Sequence, residues 1–346
     1  MSLRLAPQEL LPWALSALDL SGSDALPELS MVAGDASPRR YFRLALAASS
    51  YVLVDAPPAT EKNVAFVQVA LLLRGAGVKV PAVLAVDFDR GFLLLEDLGD
   101  QLLLPLLDSG SSGGFYAQAF ATLAQMAAVD TACAGLGDYD RALLGEELSR
   151  FQAWFVQELL GYTPSVAEQA QLGRLKARLI DSALEQPRVL VHRDFHSRNL
   201  MLTGDRELAV IDFQDAVVGP VTYDLASLLR DCYIQWPAAQ VRAWALDYRD
   251  LLRAWGLTAD IGEAQFLRWF DWMGLQRHLK VLGTFARLYL RDGKSAYLDD
   301  LPLVIHYVLE ITDKYVAEEP AFADFSAWFR EHLSPLITQQ PWSRTL

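Results

Sequence analysis

Short apolar runs alternate with polar turns over the first hundred residues. The spacing of apolar positions predicts one helix at residues 9–18 and an amphipathic helix at about 61–74 that ends at Gly75 and Gly77. β-type runs occur at residues 29–33, 41–46, 51–54, 83–88 and 92–96. The order β-β-β-α-β-β predicts a mostly antiparallel sheet with one helix.

Longer helical patterns follow Leu98, at residues 114–129, 145–160, 164–185 and from 222 to about 336. One strand–loop–strand segment, residues 189–213, interrupts them. The change of character at Gly99 predicts an α+β chain of two parts. Residues 1–98 form a small antiparallel-sheet lobe, and residues 99–346 form a larger, mainly helical lobe.

Composition narrows the class of protein. A chain of 346 residues that is 52% apolar can bury a large core, which excludes global disorder. With 43 acidic against 30 basic residues, the net charge of −13 argues against a protein that coats nucleic acid or binds anionic membranes through a basic face. No apolar run reaches the length of about 18 residues needed for a membrane span.

The N-terminal sequence lacks the pattern of a signal peptide. The two cysteines, Cys133 and Cys232, lie in apolar contexts and are interpreted as buried free thiols. We therefore expect a cytoplasmic protein, and no obligate protein partner is evident.

The densest candidate chemistry lies in residues 189–213, where apolar runs frame a polar loop and residues 203–207 form the turn of a hairpin. Two acids and an amide are expected at neighbouring ends of adjacent strands. Asn199 offers a neutral oxygen and Asp212 an anionic one, which suits Mg²⁺. Asp194, five residues before Asn199, can accept the proton of an attacking hydroxyl. Phosphoryl transfer needs mainly positioning and charge neutralisation, and this set supplies both.

Two other interpretations of the loop remain open. The first is a hairpin with solvated polar residues at its mouth. The second takes His192, Asp194 and His196 as zinc ligands, a set that needs a fourth ligand or an open position.

The string His192-x-Asp194-x-His196-x-x-Asn199, followed by Ile211-Asp212-Phe213, resembles the catalytic and metal motifs of the aminoglycoside phosphotransferase and choline kinase-like superfamily, relatives of the protein kinases. The resemblance covers nearly the whole chain. It implies a bilobal protein-kinase-like fold, with ATP as the phosphate donor and Mg²⁺ as the cofactor. Asp194 would then be the base, and Asn199 and Asp212 the metal ligands.

Two further stretches carry the same resemblance. Residues 93–99 resemble the strand and hinge that hold adenine through backbone hydrogen bonds, which implies nucleotide contacts at Glu96 and Leu98. Tyr223-Asp224-Leu matches the helix after the metal Asp, where the acid braces the catalytic loop. A plain N-cap of that helix is the other interpretation of Asp224.

The fuller wording His-Arg-Asp-Phe-His-Ser-Arg-Asn-Leu-Met, together with Val54-Asp55-Ala-Pro-Pro, resembles one branch of that superfamily. The branch contains the bacterial anomeric kinases of cell-wall amino sugars, which phosphorylate N-acetylmuramate and N-acetylglucosamine at the C1 hydroxyl during wall recycling. It implies a small sugar as acceptor. His192, His196 and Arg198 would bind substrate or support the loop, and Arg198 would bind the carboxylate of N-acetylmuramate or form a salt bridge within the loop.

The chain departs from the kinase pattern at the third strand. Kinases carry a Lys there that pairs with a Glu on the next helix. Here Val54 or Asp55 stands at the Lys position, and Gln68 stands near that of the Glu. Either a basic residue from elsewhere replaces the Lys, with Arg39, Arg40 and Arg43 as the candidates, or the third strand is not correctly aligned with the kinase pattern.

The turn before these arginines supplies further candidates for nucleotide binding. Gly34 and Ser37 could present backbone amides and a hydroxyl to phosphate. Gly34, Ser37, Arg43, Glu96 and Leu98 are thus the predicted nucleotide-binding residues. An ordinary hairpin turn with surface arginines is the other interpretation, and loss of the Lys also leaves open a non-catalytic nucleotide-binding protein.

The acceptor side carries less signal. An aromatic-rich helical segment contains Trp269, Phe270, Trp272, Gln276, Arg277 and His278. Sugars often lie against aromatic rings, but such stripes are more often core, and these residues are given no role. A kinase for a cationic acceptor, such as an aminoglycoside or choline, is the main rival, because an acidic protein attracts cations.

Overall fold

The computed structural model describes residues 5–20, 27–33, 38–258 and 261–345. Contacts divide the chain into two compact units. The first unit comprises residues 1–118 and 198–216, and the second comprises residues 119–197 and 217–346.

A five-stranded antiparallel sheet with the order β1-β2-β3-β5-β4 dominates the first unit. Its strands are β1 (Leu29–Ala33), β2 (Arg40–Ala45), β3 (Ser50–Asp55), β4 (Val83–Asp87) and β5 (Phe92–Glu96). Helix α1 (Leu10–Ala17) packs its apolar stripe against the sheet, and α2 (Asn63–Gly75) connects β3 to β4. The predicted α+β class and antiparallel N-terminal sheet are confirmed.

A short hairpin also belongs to the first unit, although it lies a hundred residues further along the chain. Its strands are β7 (Leu200–Leu202) and β8 (Leu208–Val210). Backbone hydrogen bonds of 2.8 Å attach it to the unit, from the Leu103 amide to the Leu200 carbonyl and from the Val210 amide to the Lys79 carbonyl. Because of these bonds, residues 99–118 and 198–216 group with the first unit rather than with the segment after residue 98. The nucleotide-binding role of residues 1–98 stays a prediction.

Helices dominate the second unit, and α8 contributes the longest run of buried residues. The helices are α4 (Arg141–Arg150, continued as a π-helix over Phe151–Leu159), α5 (Val166–Leu184), α6 (Tyr223–Leu229), α7 (Ala238–Ala254), α8 (Glu263–Asp292), α9 (Leu301–Lys314), α10 (Pro320–Trp328) and α11 (Ser334–Ile337); α3 (Ser112–Ala127) precedes them. At Gly283 a Cβ atom would lie 2.3 Å from the carbonyl carbon of Arg150, so only glycine permits this approach of α8 to α4.

A two-stranded antiparallel sheet completes the second unit. Strand β6 (Arg188–Val191) pairs with β9 (Val217–Pro220), with Val191 opposite Val217. Strand β9 is absent from the sequence-based prediction, because Val-Val-Gly-Pro ends in two turn-forming residues. The predicted helix at 145–160 is instead the second half of α4 and its π-helical continuation.

Two expectations on thiols and membranes can be compared with the structure. Cys232 is a buried free thiol, as predicted, and the side chain of Cys133 lies outside the described residues. In the part of the chain that the structure describes, no helix combines the length and the apolar character needed to cross a membrane.

Candidate active site

The loop that follows β6, residues 192–197, is fixed at its start by Asp224 of α6. We call it the Asp194 loop. The carboxylate of Asp224 accepts hydrogen bonds from the amides of His192 at 2.6 Å and Arg193 at 3.0 Å. Arg193 has a φ of +79°, a left-handed conformation that is strained for arginine and that these bonds help to hold. Burial raises the pKa of Asp224 to about 6. Thr222, not Asp224, is the N-cap residue of α6.

A second carboxylate fixes the other end of the loop. Asp231 accepts a hydrogen bond from the Ser197 amide at 2.9 Å and another from the Ser197 hydroxyl. Beside it, the His196 ring meets the Tyr233 ring edge to face, with centroids 5.5 Å apart. Asp231 is fully buried. It is absent from the sequence-based candidates, although an acid within a mostly apolar run is a signal of a buried partner.

Asp194 lies between these two anchors and is half-buried. Burial alone would raise its pKa, but the positive charges of Lys280 and Arg277, among others, hold that pKa well below its ordinary value. Asp194 is therefore a carboxylate at neutral pH and can accept a hydrogen bond from a hydroxyl.

A buried charge network lies behind the loop. Glu147 of α4 is 1% exposed and forms ion pairs with Arg193 and with Lys280 of α8, the second at 3.1 Å. Glu147 also accepts a hydrogen bond from the Tyr139 hydroxyl, and Lys280 donates one to the Tyr223 hydroxyl at 3.0 Å. Removing one partner of such a buried pair typically costs about 3–5 kcal/mol of folding free energy. The network thus fixes the backbone beside Asp194.

The two histidines of the loop do not belong to a cluster of three metal-binding side chains among the described residues. His192 is 1% exposed, and its Nδ1 accepts a hydrogen bond of 3.2 Å from the Asp194 amide. Burial lowers the pKa of His196. Within the described residues no group of three or more His, Cys, Asp or Glu side chains could hold a metal ion, so the zinc interpretation of His192, Asp194 and His196 is wrong. The side chain of Arg198 is exposed.

In the first unit, Asn199 and Asp212 lie at one end of the β7–β8 hairpin. Leu200 pairs with Val210, and the Ile211 amide donates a hydrogen bond of 3.0 Å to the Asn199 carbonyl. Asp212 has a φ of +66°, and its Oδ1 accepts a hydrogen bond from Gln214 at 2.9 Å. We had expected Asp194 to follow a strand of this same sheet. It does not, because β6, the strand before its loop, pairs with β9 instead.

Of the three candidate arginines, Arg39 lies in the region of Asp212, because both act on the pKa of Tyr41. Phe213 stacks on Phe66 of α2 with centroids 4.8 Å apart, and the Arg39 guanidinium lies 5.1 Å from the Phe66 centroid. Arg39 is 3% exposed and forms an ion pair with Glu61 at 3.3 Å. Burial raises the pKa of Tyr41. The charge of Arg39 lowers that pKa and the charge of Asp212 raises it, so Tyr41, Arg39 and Asp212 lie close together.

Arg40 and Arg43 serve other carboxylates. Arg40 donates to Asp55, its cross-strand neighbour on β3, at 2.8 Å. Asp55 at the expected Lys position is therefore matched by a cation. Arg43 bonds to Asp97 at 2.7 Å and to Asp100 at 2.9 Å, and these bonds raise its pKa. The structure thus places Arg43 at the predicted hinge.

The remaining predicted residues lie at the end of β5 or outside the description. Glu96 exchanges hydrogen bonds with Ala82, through its own amide at 2.9 Å and through its side chain at 3.1 Å. Among the described residues the Leu98 backbone has no hydrogen-bond partner, and its nucleotide contact stays a prediction. Gly34 and Ser37 lie outside the described residues.

Curated relatives share most of the chain. A protein from Pseudomonas putida is 43% identical over 303 residues, which cover 88% of each chain. One from Neisseria meningitidis is 39% identical over 300 residues, which cover 86% of this chain and 89% of the relative. Both are named N-acetylmuramate/N-acetylglucosamine kinase.

Solved structures share the fold at low sequence identity. A choline kinase from Streptococcus pneumoniae aligns with a TM-score of 0.59 and 15% identity, over 87% of this chain and 98% of that one. An aminoglycoside phosphotransferase in complex with gentamicin aligns with a TM-score of 0.60 and 12% identity, over 87% and 96%. These likenesses establish a protein-kinase-like fold.

One family model also matches most of the chain. The model of the phosphotransferase enzyme family matches residues 28–266, which contain the Asp194 loop and the β7–β8 hairpin. The chain therefore belongs to the phosphotransferase enzyme family.

Proposed function

We propose that this protein is an ATP- and Mg²⁺-dependent kinase that phosphorylates the anomeric C1 hydroxyl of N-acetylmuramate and N-acetylglucosamine. The observation that carries the reaction type is the position of Asp194 on a loop whose two ends are fixed by Asp224 and Asp231. The names of the curated relatives support the acceptor.

Asn199 and Asp212 would hold Mg²⁺. An amide oxygen and a carboxylate at one end of a hairpin fit a hard cation that completes its shell with water and phosphate oxygens. When bound, Mg²⁺ neutralises the charge on the nucleotide phosphates.

Asp194 would orient the sugar hydroxyl and accept its proton. A carboxylate with a low pKa is a weak base, so its main contribution is to align the oxygen with the phosphate. This suits phosphoryl transfer, because a loose transition state asks little covalent chemistry of the protein. The hydrogen bonds that Asp224 and Asp231 accept from the loop amides hold the loop in place for this alignment.

The charges near Asp194 argue against a cationic acceptor. Lys280 and Arg277 both act on the Asp194 carboxylate and would repel a polycation or a quaternary amine. Because the base and both candidate metal ligands are present, we also favour catalysis over nucleotide binding alone.

Transfer from ATP to a panel of acceptors tests this function. We expect phosphate on N-acetylmuramate and N-acetylglucosamine, located at C1 by NMR, and none on choline or an aminoglycoside. Turnover with the amines alone would contradict the proposal. Protection of the fold by Mg·ATP without transfer to any acceptor would support a non-catalytic nucleotide-binding protein instead.

Arg39 is proposed to replace the missing third-strand Lys. Its charge is shielded from water and held by Glu61, so it should act strongly on the nucleotide phosphates. We expect Arg39→Ala to weaken ADP binding by about tenfold, equivalent to about 1.4 kcal/mol, and to leave adenosine binding unchanged. Titration of each ligand measures this.

Arg40→Ala is the matched control, because Asp55 already engages that guanidinium. An equal loss of ADP and adenosine binding in Arg39→Ala would mean that Arg39 only supports the fold.

A further inference from the structure

Helix α8 buries polar side chains that have no hydrogen-bond partner among the described residues. Gln276 is 2% exposed, and neither its amide nitrogen nor its amide oxygen has a hydrogen-bond partner anywhere in the described chain. Buried polar groups in folded proteins are nearly always hydrogen-bonded, and a buried amide that is left unsatisfied is destabilising. The side-chain amide of Gln276 would be satisfied by a ligand that offers both a hydrogen-bond donor and a hydrogen-bond acceptor.

The next residue, Arg277, is a buried cation without a carboxylate. It is 3% exposed, and its one hydrogen bond to a described residue is a weak contact of 3.5 Å from Nη1 to the Cys232 thiol. Within those same residues no carboxylate oxygen lies within 4.0 Å of it, and its Nε has no partner.

Neighbouring buried cations of this unit, unlike Arg277, form ion pairs with carboxylates. Arg230 pairs with Asp271 at 2.6 Å, and Lys280 pairs with Glu147 at 3.1 Å. A buried charge is costly unless it is paired, so the unpaired guanidinium of Arg277 indicates an anionic ligand.

Arg277 lies beside the Asp194 loop, within the same unit, and Gln276 precedes it on α8. Cys232, which contacts Arg277, stands between Asp231 and Tyr233, and these contact Ser197 and His196 of the loop. Arg277 and Lys280 are three residues apart on α8 and so share a helix face. The charges of both also act on Asp194, in agreement with this placement.

We propose that Gln276 and Arg277 form the acceptor subsite for an acidic sugar, in which Arg277 binds the sugar's carboxylate and Gln276 binds a hydroxyl or acetamido group. The inference rests on the proposed function, since it takes Asp194 as the group that faces the acceptor hydroxyl. Of the two proposed acceptors, N-acetylmuramate carries a carboxylate and N-acetylglucosamine does not. Arg198, the sequence-based candidate for this carboxylate, is exposed to competing water.

The test compares the two sugars in Arg277→Met, which removes the charge and keeps a long side chain. We expect kcat/KM for N-acetylmuramate to fall about 10- to 100-fold further than that for N-acetylglucosamine, the range of a charge-assisted hydrogen bond, because the effect of the Arg277 charge on Asp194 is common to both sugars. Arg277→Lys should recover part of the loss. Arg291→Met, an exposed position of the same helix, is the matched control and should change neither.

A loss of equal size on both sugars, or no loss, would overturn the subsite, because a structural or phosphate-directed role does not distinguish the two. Should Arg277→Met fail to fold, Gln276→Glu gives a second test, since an added carboxylate should repel N-acetylmuramate selectively. An equal response of the two sugars to Gln276→Glu would likewise count against the subsite.

Calorimetric titration of the wild-type protein and the variants with each sugar, without nucleotide, separates this inference from the proposed function. Arg277-dependent preference for N-acetylmuramate without phosphate transfer would support the subsite and overturn the kinase. Transfer to both sugars with no dependence on Arg277 would support the kinase and overturn the subsite.

Discussion

Asp194→Asn is expected to lower kcat by about 10²–10⁴-fold or more, the contribution of a general base, while ATP still binds. The amide cannot accept the proton of the sugar hydroxyl, and it removes the negative charge that orients that hydroxyl. The change is isosteric, and the loop keeps its hydrogen bonds to Asp224 and Asp231, so its backbone should stay in place.

Single-turnover transfer from ATP to N-acetylglucosamine measures this loss, and nucleotide titration checks that binding persists. Asp205→Asn, in the turn of the β7–β8 hairpin, is the control, because Asp205 pairs with Lys79 and Thr203 of its own unit. Near-full activity in Asp194→Asn would exclude Asp194 as the base.

Asp212→Asn should raise the Mg²⁺ concentration needed for half-maximal activity by at least about tenfold. Loss of an outer-shell partner of a metal already costs 10–100-fold in affinity, and a direct ligand should cost no less. Asparagine tolerates the left-handed backbone at this position, where φ is +66°, so the hairpin should keep its conformation.

A Mg²⁺ titration at saturating ATP gives the readout. Asp215→Asn is a matched control three residues away, since Asp215 is half-buried and pairs with Lys62 at 2.7 Å. If Asp212→Asn and Asp215→Asn show the same Mg²⁺ requirement as the wild-type protein, Asp212 does not bind the metal.

Local pattern was enough to predict much of the first unit. Strand β5 occupies the predicted residues, because its apolar run begins directly after the turn at Gly91. The neighbouring sequence on each side thus indicates where the strand begins and ends. Strand β9 could not be found in this way, because Val-Val-Gly-Pro becomes a strand only through pairing with β6. That pairing also moves Asp194 to a different sheet from the one we had expected.

The residues of the candidate site also form two groups, those that the local sequence indicates and those that only the fold brings together. Asp194, Asn199 and Asp212 stand in one continuous motif, so their spacing alone indicated them. Glu147 lies 46 residues from its partner Arg193, and Asp231 lies 34 residues from Ser197. Only the packing of the second unit brings these pairs together, and no local pattern contains that information.

The two carboxylates that hold the Asp194 loop, Asp224 and Asp231, stand only seven residues apart, on helix α6 and directly after it. Both ends of the loop are thus tied to one short piece of chain, and the base and α6 should move together as a single body. Slow amide hydrogen exchange of His192, Arg193 and Ser197 would then report the opening of one shared element. Such a base needs no reorganisation as the reaction begins, which is the condition under which a weak carboxylate is an effective guide for an incoming hydroxyl.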